Sequence, residues 1–217
     1  VEHIEKEIQH LIKTIDVEFL WIVTDTLLTT SKKKFDDFCD MYSKYKIPFF
    51  AQTRPELLTP HQAKRLVEIG CEKLNMGVEH GDPQFRKDII GRVYDNQKAI
   101  DAFRIAREAG LNTTCNFIVG YPYETMESCM KSVDLAAQLG CDDTNAFIFT
   151  PYHGTPMRDM CVDAGFIDQD LIVEMRSDDQ GSFLDMPKPY MSKKEIQYMF
   201  NNFVRLFRER ERAIMSS

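Results

Sequence analysis

The sequence predicts an α/β fold: a partial, TIM-like (β/α) barrel of parallel strands with a helical C-terminal extension. Three observations predict it. Five short apolar runs read as strands: VEFLWIVT from residue 17, IPFFAQT from 47, KLNMGVE from 73, TTCNFIVG from 113 and TNAFIFT from 144. They are near-continuous rather than alternating, as strands covered on both faces are, and their spacing leaves room for one helix between each pair. A weak internal repeat, EIGCEKLNMG, EAGLNTTCNF and QLGCDDTNAF, ends a helix on Gly70, Gly110 or Gly140 and enters a strand directly. No GxGxxG follows the first strand, which disfavours a dinucleotide-binding sheet, and a complete eight-fold barrel needs about 250 residues.

Taken in order, Ile4, Ile8, Leu11, Ile12 and Ile15 form a helical stripe at the start of the chain. Because residue 1 is Val and lies inside this amphipathic pattern, the sequence reads as a fragment of a longer protein. Thr59-Pro60-His61-Gln62 is a helix start, with a capping Thr, Pro at the first helical position and Gln placed to close a capping box. Ala99, Phe103 and Ala106 line a further helix, and Met126, Met130, Val133 and Ala137 another. After DAGFI at Gly165 no strand follows, so the repeating pattern stops. Residues 1–160 form the barrel portion, without its first strand, and 161–217 a mostly helical extension of the same domain. QGSFLDMPKPY (180–190) reads as irregular chain or a short hairpin. Ser192-Lys193-Lys194-Glu195 is a capping box leading into Ile196, Met199, Phe200, Phe203 and Phe207 at helical spacing, and RERER at 208–212 reads as a solvated face.

Composition narrows the function. With 27 basic and 34 acidic side chains the net charge is −7, which indicates no nucleic-acid surface. No apolar run reaches the ~18 residues of a membrane span, and no signal peptide is present. The six cysteines form no CxxC pair and read as reduced, mostly buried thiols in a cytoplasmic chain.

The chemistry-bearing residues fall at the carboxyl ends of the strands, where barrel active sites lie. The ends read Thr24-Asp25-Thr26, Gln52-Thr53-Arg54-Pro55, Gly77-Val78-Glu79-His80-Gly81, Gly120-Tyr121-Pro122-Tyr123-Glu124 and Thr150-Pro151-Tyr152-His153-Gly154. Each residue also has a plainer reading. Asp25 suits a helix cap, Glu79 and Arg54 a rim ion pair, and Glu124 a helix dipole. Tyr121 and Tyr123 suit packing. His80 and His153 lack metal-ligand spacing, while His3, His10 and His61 lie on helices and read as surface residues.

The segment Asn116-Phe117-Ile118-Val119-Gly120-Tyr121-Pro122-Tyr123-Glu124 resembles the GxIxGxxxE strand motif of the radical S-adenosylmethionine (radical SAM) enzymes, with Asn in place of the first Gly. The wider text, from LNTTCNFIVGYPYET to FIFTPYHGTPM, is similar to the cobalamin-binding and methylthiotransferase-related branch of that superfamily. GVEHG and VTDT match its pattern as well. The resemblance covers roughly residues 1–160. It implies a barrel with S-adenosylmethionine laid across the strand ends. In that arrangement Ile118 packs on the adenine, Gly120 lets the ligand approach the backbone, and Pro151 borders the adenine. Asp25 meets the methionyl amino group, Glu79 lies near the ribose or the substrate, and Arg92 of IIGRVYD holds the methionine carboxylate. Thr26, Arg54, Asn116 and Glu124 complete the implied cofactor site. A [4Fe–4S] cluster is implied too, but the CxxxCxxC loop that holds it in the family is absent, so its ligands are expected upstream. The resemblance adds cobalamin as a further cofactor of the full-length protein. As given, the chain is expected to be inactive. Two other readings stay open: a lyase- or aldolase-type barrel with a divalent metal held by Asp25, Glu79 and Glu124, and a non-catalytic scaffold. Expected partners are a small-molecule substrate and a second copy paired through an exposed sheet edge, with no membrane.

Overall fold

The structure, a computed structural model, describes residues 1–23, 26–173 and 181–216. In chain order the elements are α1 (Glu2–Thr14), β1 (Leu20–Trp21), α2 (Lys32–Tyr42), β2 (Phe49–Thr53), α3 (Pro60–Glu68), β3 (Cys71–Glu79), α4 (Pro83–Phe85), α5 (Asn96–Ala109), β4 (Asn112–Val119), α6 (Met126–Leu139), β5 (Asp143–Ile148), α7 (Pro156–Asp163) and α8 (Lys193–Met215). The five strands are parallel and lie in the sheet in the order β1-β2-β3-β4-β5. Each strand therefore neighbours the next in sequence. Successive βα units winding in one direction give this order, as in a barrel; a doubly wound sheet reverses it at a switch point. The predicted fold class holds, and all five predicted strands and the helices between them are present.

The chain forms two compact units, one of residues 1–77, 98–115 and 141–143, the other of residues 78–97, 116–140 and 144–217. In the first, α2 starts on Ser31, whose side chain accepts from the Lys34 N–H, and buries Phe35, Phe38, Cys39, Met41 and Tyr42. The Tyr42 hydroxyl is satisfied by the Ile47 carbonyl at 2.8 Å, and its ring meets Phe49 edge-on at 5.0 Å. The Thr59–Gln62 capping box forms as read from the sequence, and α3 buries Ala63 and Leu66. β1 differs from expectation. Of VEFLWIVT, whose Thr24 lies outside the described residues, residues 17–23 form only a two-residue strand, pairing Leu20 with Phe49 and Trp21 with Phe50. It lies at the end of the sheet with one neighbour, and Trp21 and Val23 are 61% and 76% exposed. With one ladder and little burial, an apolar run has little to hold it in strand geometry.

In the second unit α8 is the main packing element. Its capping box forms between Ser192 and Glu195, and Ile196, Met199, Phe203 and Phe207 are all buried. Phe203 lies against Phe117 of β4, with ring centroids 5.3 Å apart, and Arg210 pairs with Asp134 of α6 at 2.8 Å. Burying a Phe of this kind contributes roughly 1.5–3 kcal/mol. Residues 181–190 are irregular, the first of the two forms anticipated for QGSFLDMPKPY. The repeat is visible in the backbone, since Gly70, Gly110 and Gly140 all take left-handed φ. Among the described residues no helix is long and apolar enough to cross a membrane.

Candidate functional site

The site is built in the second unit, where β3, β4 and β5 end. β3 terminates on Glu79, a non-glycine residue in the left-handed region (φ 71°). Such a conformation costs an L-residue about 1–2 kcal/mol and persists only where the surroundings impose it. Here the turn aims the Glu79 carboxylate at Arg92, whose Nη1 lies 3.2 Å from Oε1; the two side chains are 24% and 10% exposed. Arg92 follows a π-turn over Arg86–Ile90 that closes on Gly91. Arg86 itself is fully buried. It donates to the carbonyl of His80, to the Tyr94 carbonyl at 3.0 Å and to Asn96 Oδ1 at 2.8 Å, and it stacks on the Tyr94 ring at 4.1 Å. The Tyr94 hydroxyl in turn donates to the Val78 carbonyl. The segment after β3 is thus fixed by a buried guanidinium.

His80 and Glu124 are both wholly buried and meet at 3.0 Å, Nε2 to Oε1. His80 Nδ1 accepts the Asp82 N–H at 3.0 Å, so it carries no proton and Nε2 is the donor to Glu124. The other carboxylate oxygen, Oε2, accepts the N–H groups of Gly120 and Tyr121. The dipole reading of Glu124 gives way to this one: Thr125, not Glu124, caps α6, and Glu124 holds the turn after β4. The next residue after His80, Gly81, packs on the backbone of α6. A Cβ there would fall 2.1 Å from the Lys131 carbonyl oxygen, so only glycine fits. Burial raises the Asp82 carboxyl, but Lys131 at 2.7 Å and the Phe85 and Gln84 N–H groups outweigh it and hold Asp82 below the usual range. Burial, with the nearby charges of Glu79 and Glu124, pushes the Tyr121 hydroxyl well up.

On β4, Asn116 and Ile118 are half-buried and alternate with buried Phe117 and Val119, so the first two share one face. Asn116 Oδ1 accepts from Asn145 Nδ2 of β5 at 3.2 Å. Gly120 takes φ 80°, and a Cβ on it would meet Ile196 of α8 at 2.7 Å. The glycine therefore has a packing reason as well as the ligand-approach role implied by resemblance. Pro151 is buried, and its carbonyl accepts from Arg158 at 3.2 Å, which also binds the carbonyls of Gln169 and Leu171.

Of the expected site residues, Glu79 and Arg92 come together, as do Gly120 and Glu124; Asn116, Ile118 and Pro151 lie on or beside β4 and β5. In the first unit Thr26 is buried, with its carbonyl accepting from Thr29, and Arg54 is exposed. Asp25 lies outside the described residues. The packing reading of the tyrosines is met: Tyr121 lies against Phe149, and Tyr123 against Phe166 and Tyr190. His153 Nε2 accepts from the Val173 N–H, and among the described residues no three His, Cys, Asp or Glu side chains converge as a metal site. Of the three ligands of the divalent-metal alternative, Glu124 has both oxygens turned to buried donors, and Asp25 lies outside the described residues. A cluster does not fit the cysteines described. All six are buried, and burial pushes the thiols of Cys39 and Cys161 up to about 11 and that of Cys71 to about 12, away from the thiolate form iron requires. The donor set suits the nucleoside cofactor in kind: Arg92 offers a cation for a carboxylate, Glu79 an acceptor for a hydroxyl, and Ile118 of β4 a half-buried apolar surface.

Sequence reasoning missed His80 as a buried hydrogen-bonding residue and did not single out Arg86. In the sequence both look like polar residues of a loop, and only their complete burial and their hydrogen bonds reveal their role.

Comparison with known proteins agrees with the resemblance. The profile of the Radical SAM superfamily matches residues 1–136. An uncharacterized methyltransferase of Pyrococcus horikoshii is 28% identical over 156 residues, 71% of this chain and 34% of that protein. A tRNA-2-methylthio-N(6)-dimethylallyladenosine synthase of Bacillus pumilus is 29% identical over 115 residues, 51% of this chain and 22% of the enzyme. The chain thus spans about a third or less of these relatives. Among solved structures, the S-adenosylmethionine methyltransferase TsrM of Kitasatospora setae superposes with a TM-score of 0.62 at 18% identity, over 75% of this chain and 33% of that one. Coproporphyrinogen III oxidase of Escherichia coli gives 0.61 at 20% identity, over 70% and 37%. These likenesses are of fold. With the family profile covering more than half of its length, the chain belongs to the radical SAM superfamily.

Proposed function

We propose that the chain is the S-adenosylmethionine-binding part of a radical enzyme. The observation that carries this is the superfamily match over residues 1–136, which includes the β3 and β4 ends where Glu79, Arg92, Ile118 and Gly120 lie. Enzymes of this superfamily use S-adenosylmethionine and a [4Fe–4S] cluster, which supply a 5′-deoxyadenosyl radical. In this reading Arg92 holds the methionine carboxylate, Asp25 meets the amino group, Glu79 lies near the ribose or the substrate, and Ile118 with Pro151 borders the adenine. Thr26, Arg54 and Asn116 complete the contacts. Glu124 shapes the turn that carries Gly120. The cluster's cysteines belong to the proposal only as residues outside those described, so residues 1–217 alone are inactive. Cobalamin in the complete protein belongs to the same proposal, supported by the fold likeness to TsrM, which binds cobalamin and a [4Fe–4S] cluster. The substrate is a small molecule. In the isolated chain the edge of β1 pairs with a second copy.

The test is direct. The complete protein, reconstituted with iron and sulfide, releases 5′-deoxyadenosine from S-adenosylmethionine under strong reductant, while residues 1–217 alone do not. No product, together with no binding of S-adenosylmethionine, overturns the reading.

A further inference from the structure

We propose that His80 is a positioning residue, which sets the carboxyl ends of both β3 and β4 for the cofactor through its hydrogen bond to Glu124. The inference rests on the reading just given. The imidazole has no freedom left. Nε2 donates to Glu124, Nδ1 accepts from Asp82, and the ring stacks on Phe85 with centroids 4.2 Å apart. On one side this fixes the backbone directly after Glu79, so the left-handed turn that points Glu79 at Arg92 cannot relax. On the other side it orients the Glu124 carboxylate, which gathers the Gly120 and Tyr121 N–H groups that β4 leaves behind as it ends.

Stability alone does not explain the pair. A buried polar pair is replaceable by apolar side chains of similar volume at little or no cost, whereas removing one partner leaves the other unsatisfied. What an apolar filling could not do is fix two backbone amides and a strained turn in one register. The pair spans residues from two strand ends of the same unit, and both ends carry expected cofactor contacts.

Two substitutions separate positioning from support. His80→Gln keeps an N–H at the Nε2 position and loses the acceptor for Asp82. His80→Asn keeps an acceptor at the Nδ1 position and loses the donor to Glu124. The bond lost in His80→Asn is buried and made to a carboxylate, the one lost in His80→Gln part-buried and neutral, so His80→Asn lowers the melting temperature more; binding is therefore measured well below both melting temperatures, on folded protein. In the complete protein, equilibrium dialysis with S-adenosylmethionine is expected to show about tenfold weaker binding for His80→Asn and less than about twofold change for His80→Gln. Glu124→Gln gives a second arm, since its amide turns an N–H₂ towards Nε2–H and sets donor against donor; it is expected to weaken binding like His80→Asn. Equal affinities across all three folded variants, or a loss for His80→Gln as large as that for His80→Asn, overturn the proposal. Failure of the unsubstituted protein to bind overturns the cofactor reading itself, and the positioning role with it.

Discussion

The β1 region and the β3–β4 ends solve the same problem in opposite ways. Both are places where parallel strands stop and leave backbone groups and apolar side chains to be accommodated. At β3 and β4 every step is taken up internally: Arg86 binds three oxygens, Glu124 three donors, and Gly81 sits directly on a helix backbone. At β1 the opposite holds. Trp21 and Val23 are largely exposed, and α1 buries only Ile8. A groove of about 860 Å³ opens among α1, β1 and α2, lined by Ile4, Leu11, Trp21 and Phe38. The difference teaches that apolar sequence does not by itself make a core; VEFLWIVT is more apolar than TTCNFIVG, yet only the second is buried along nearly its whole strand.

The comparison breaks first at the well-packed end. Phe203→Ala removes the ring that lies on Phe117 of β4, and it should cost about 3–5 kcal/mol in denaturant unfolding. A loss under about 1 kcal/mol would mean that α8 is not what covers β4. Arg92→Ala is smaller in stability and larger in binding. It leaves Glu79 in a strained turn without its cation, and S-adenosylmethionine affinity of the complete protein should fall by about tenfold or more. Unchanged affinity would remove Arg92 from the cofactor site.

A pH effect comes next. Glu195 donates nothing and accepts from Lys188 and Ser192, which hold its carboxyl down at about 2, against 4.5 ordinarily. A depressed carboxyl stabilises the fold above its unfolded value and loses that contribution as pH falls towards 2. Glu195→Gln can still close the capping box, so it removes the charge alone. The melting-temperature gap between the two proteins should be full at pH 6, shrink as the pH falls below 4.5 and close only below about pH 2. Because the group is near the surface, the gap is modest.

How much of this was legible follows the same division. The capping boxes of α3 and α8, the buried stripe of α8 and the order of the five strands rest on local signals, a cap residue, a 3.6-residue period, an apolar run, and these survive folding unchanged. The positions of Glu79, Asn116, Ile118 and Gly120 were readable because each lies in the last residues of its strand or directly after it. The partner of Glu79 was not: Arg92 lies beyond a π-turn whose form depends on a buried Arg86, and nothing in the letters QFRKDIIGR marks one arginine as fully buried and the next as closing on Glu79. The role of Glu124 was hidden for a similar reason, since its partners are two backbone amides and a histidine from another strand. The shortness of β1 was hidden because strand length depends on neighbours that the run itself does not specify.

The smallest expected effect lies at that poorly covered edge. Val23 is 76% exposed, and substitutions at such positions usually change stability by no more than about 0.5 kcal/mol. Val23→Lys should therefore leave the unfolding midpoint of residues 1–217 nearly unmoved. Its effect should appear in association instead. An apolar strand at the end of a sheet is a template for another strand, and a lysine there opposes pairing through its charge and its hydration. Sedimentation velocity on the isolated chain should show a concentration-dependent dimer that Val23→Lys shifts to monomer. The same monomeric profile for both proteins would show that the edge of β1 is open without being adhesive. A dimer unaffected by the lysine would place the contact on another face, with the α1 groove the next surface to substitute.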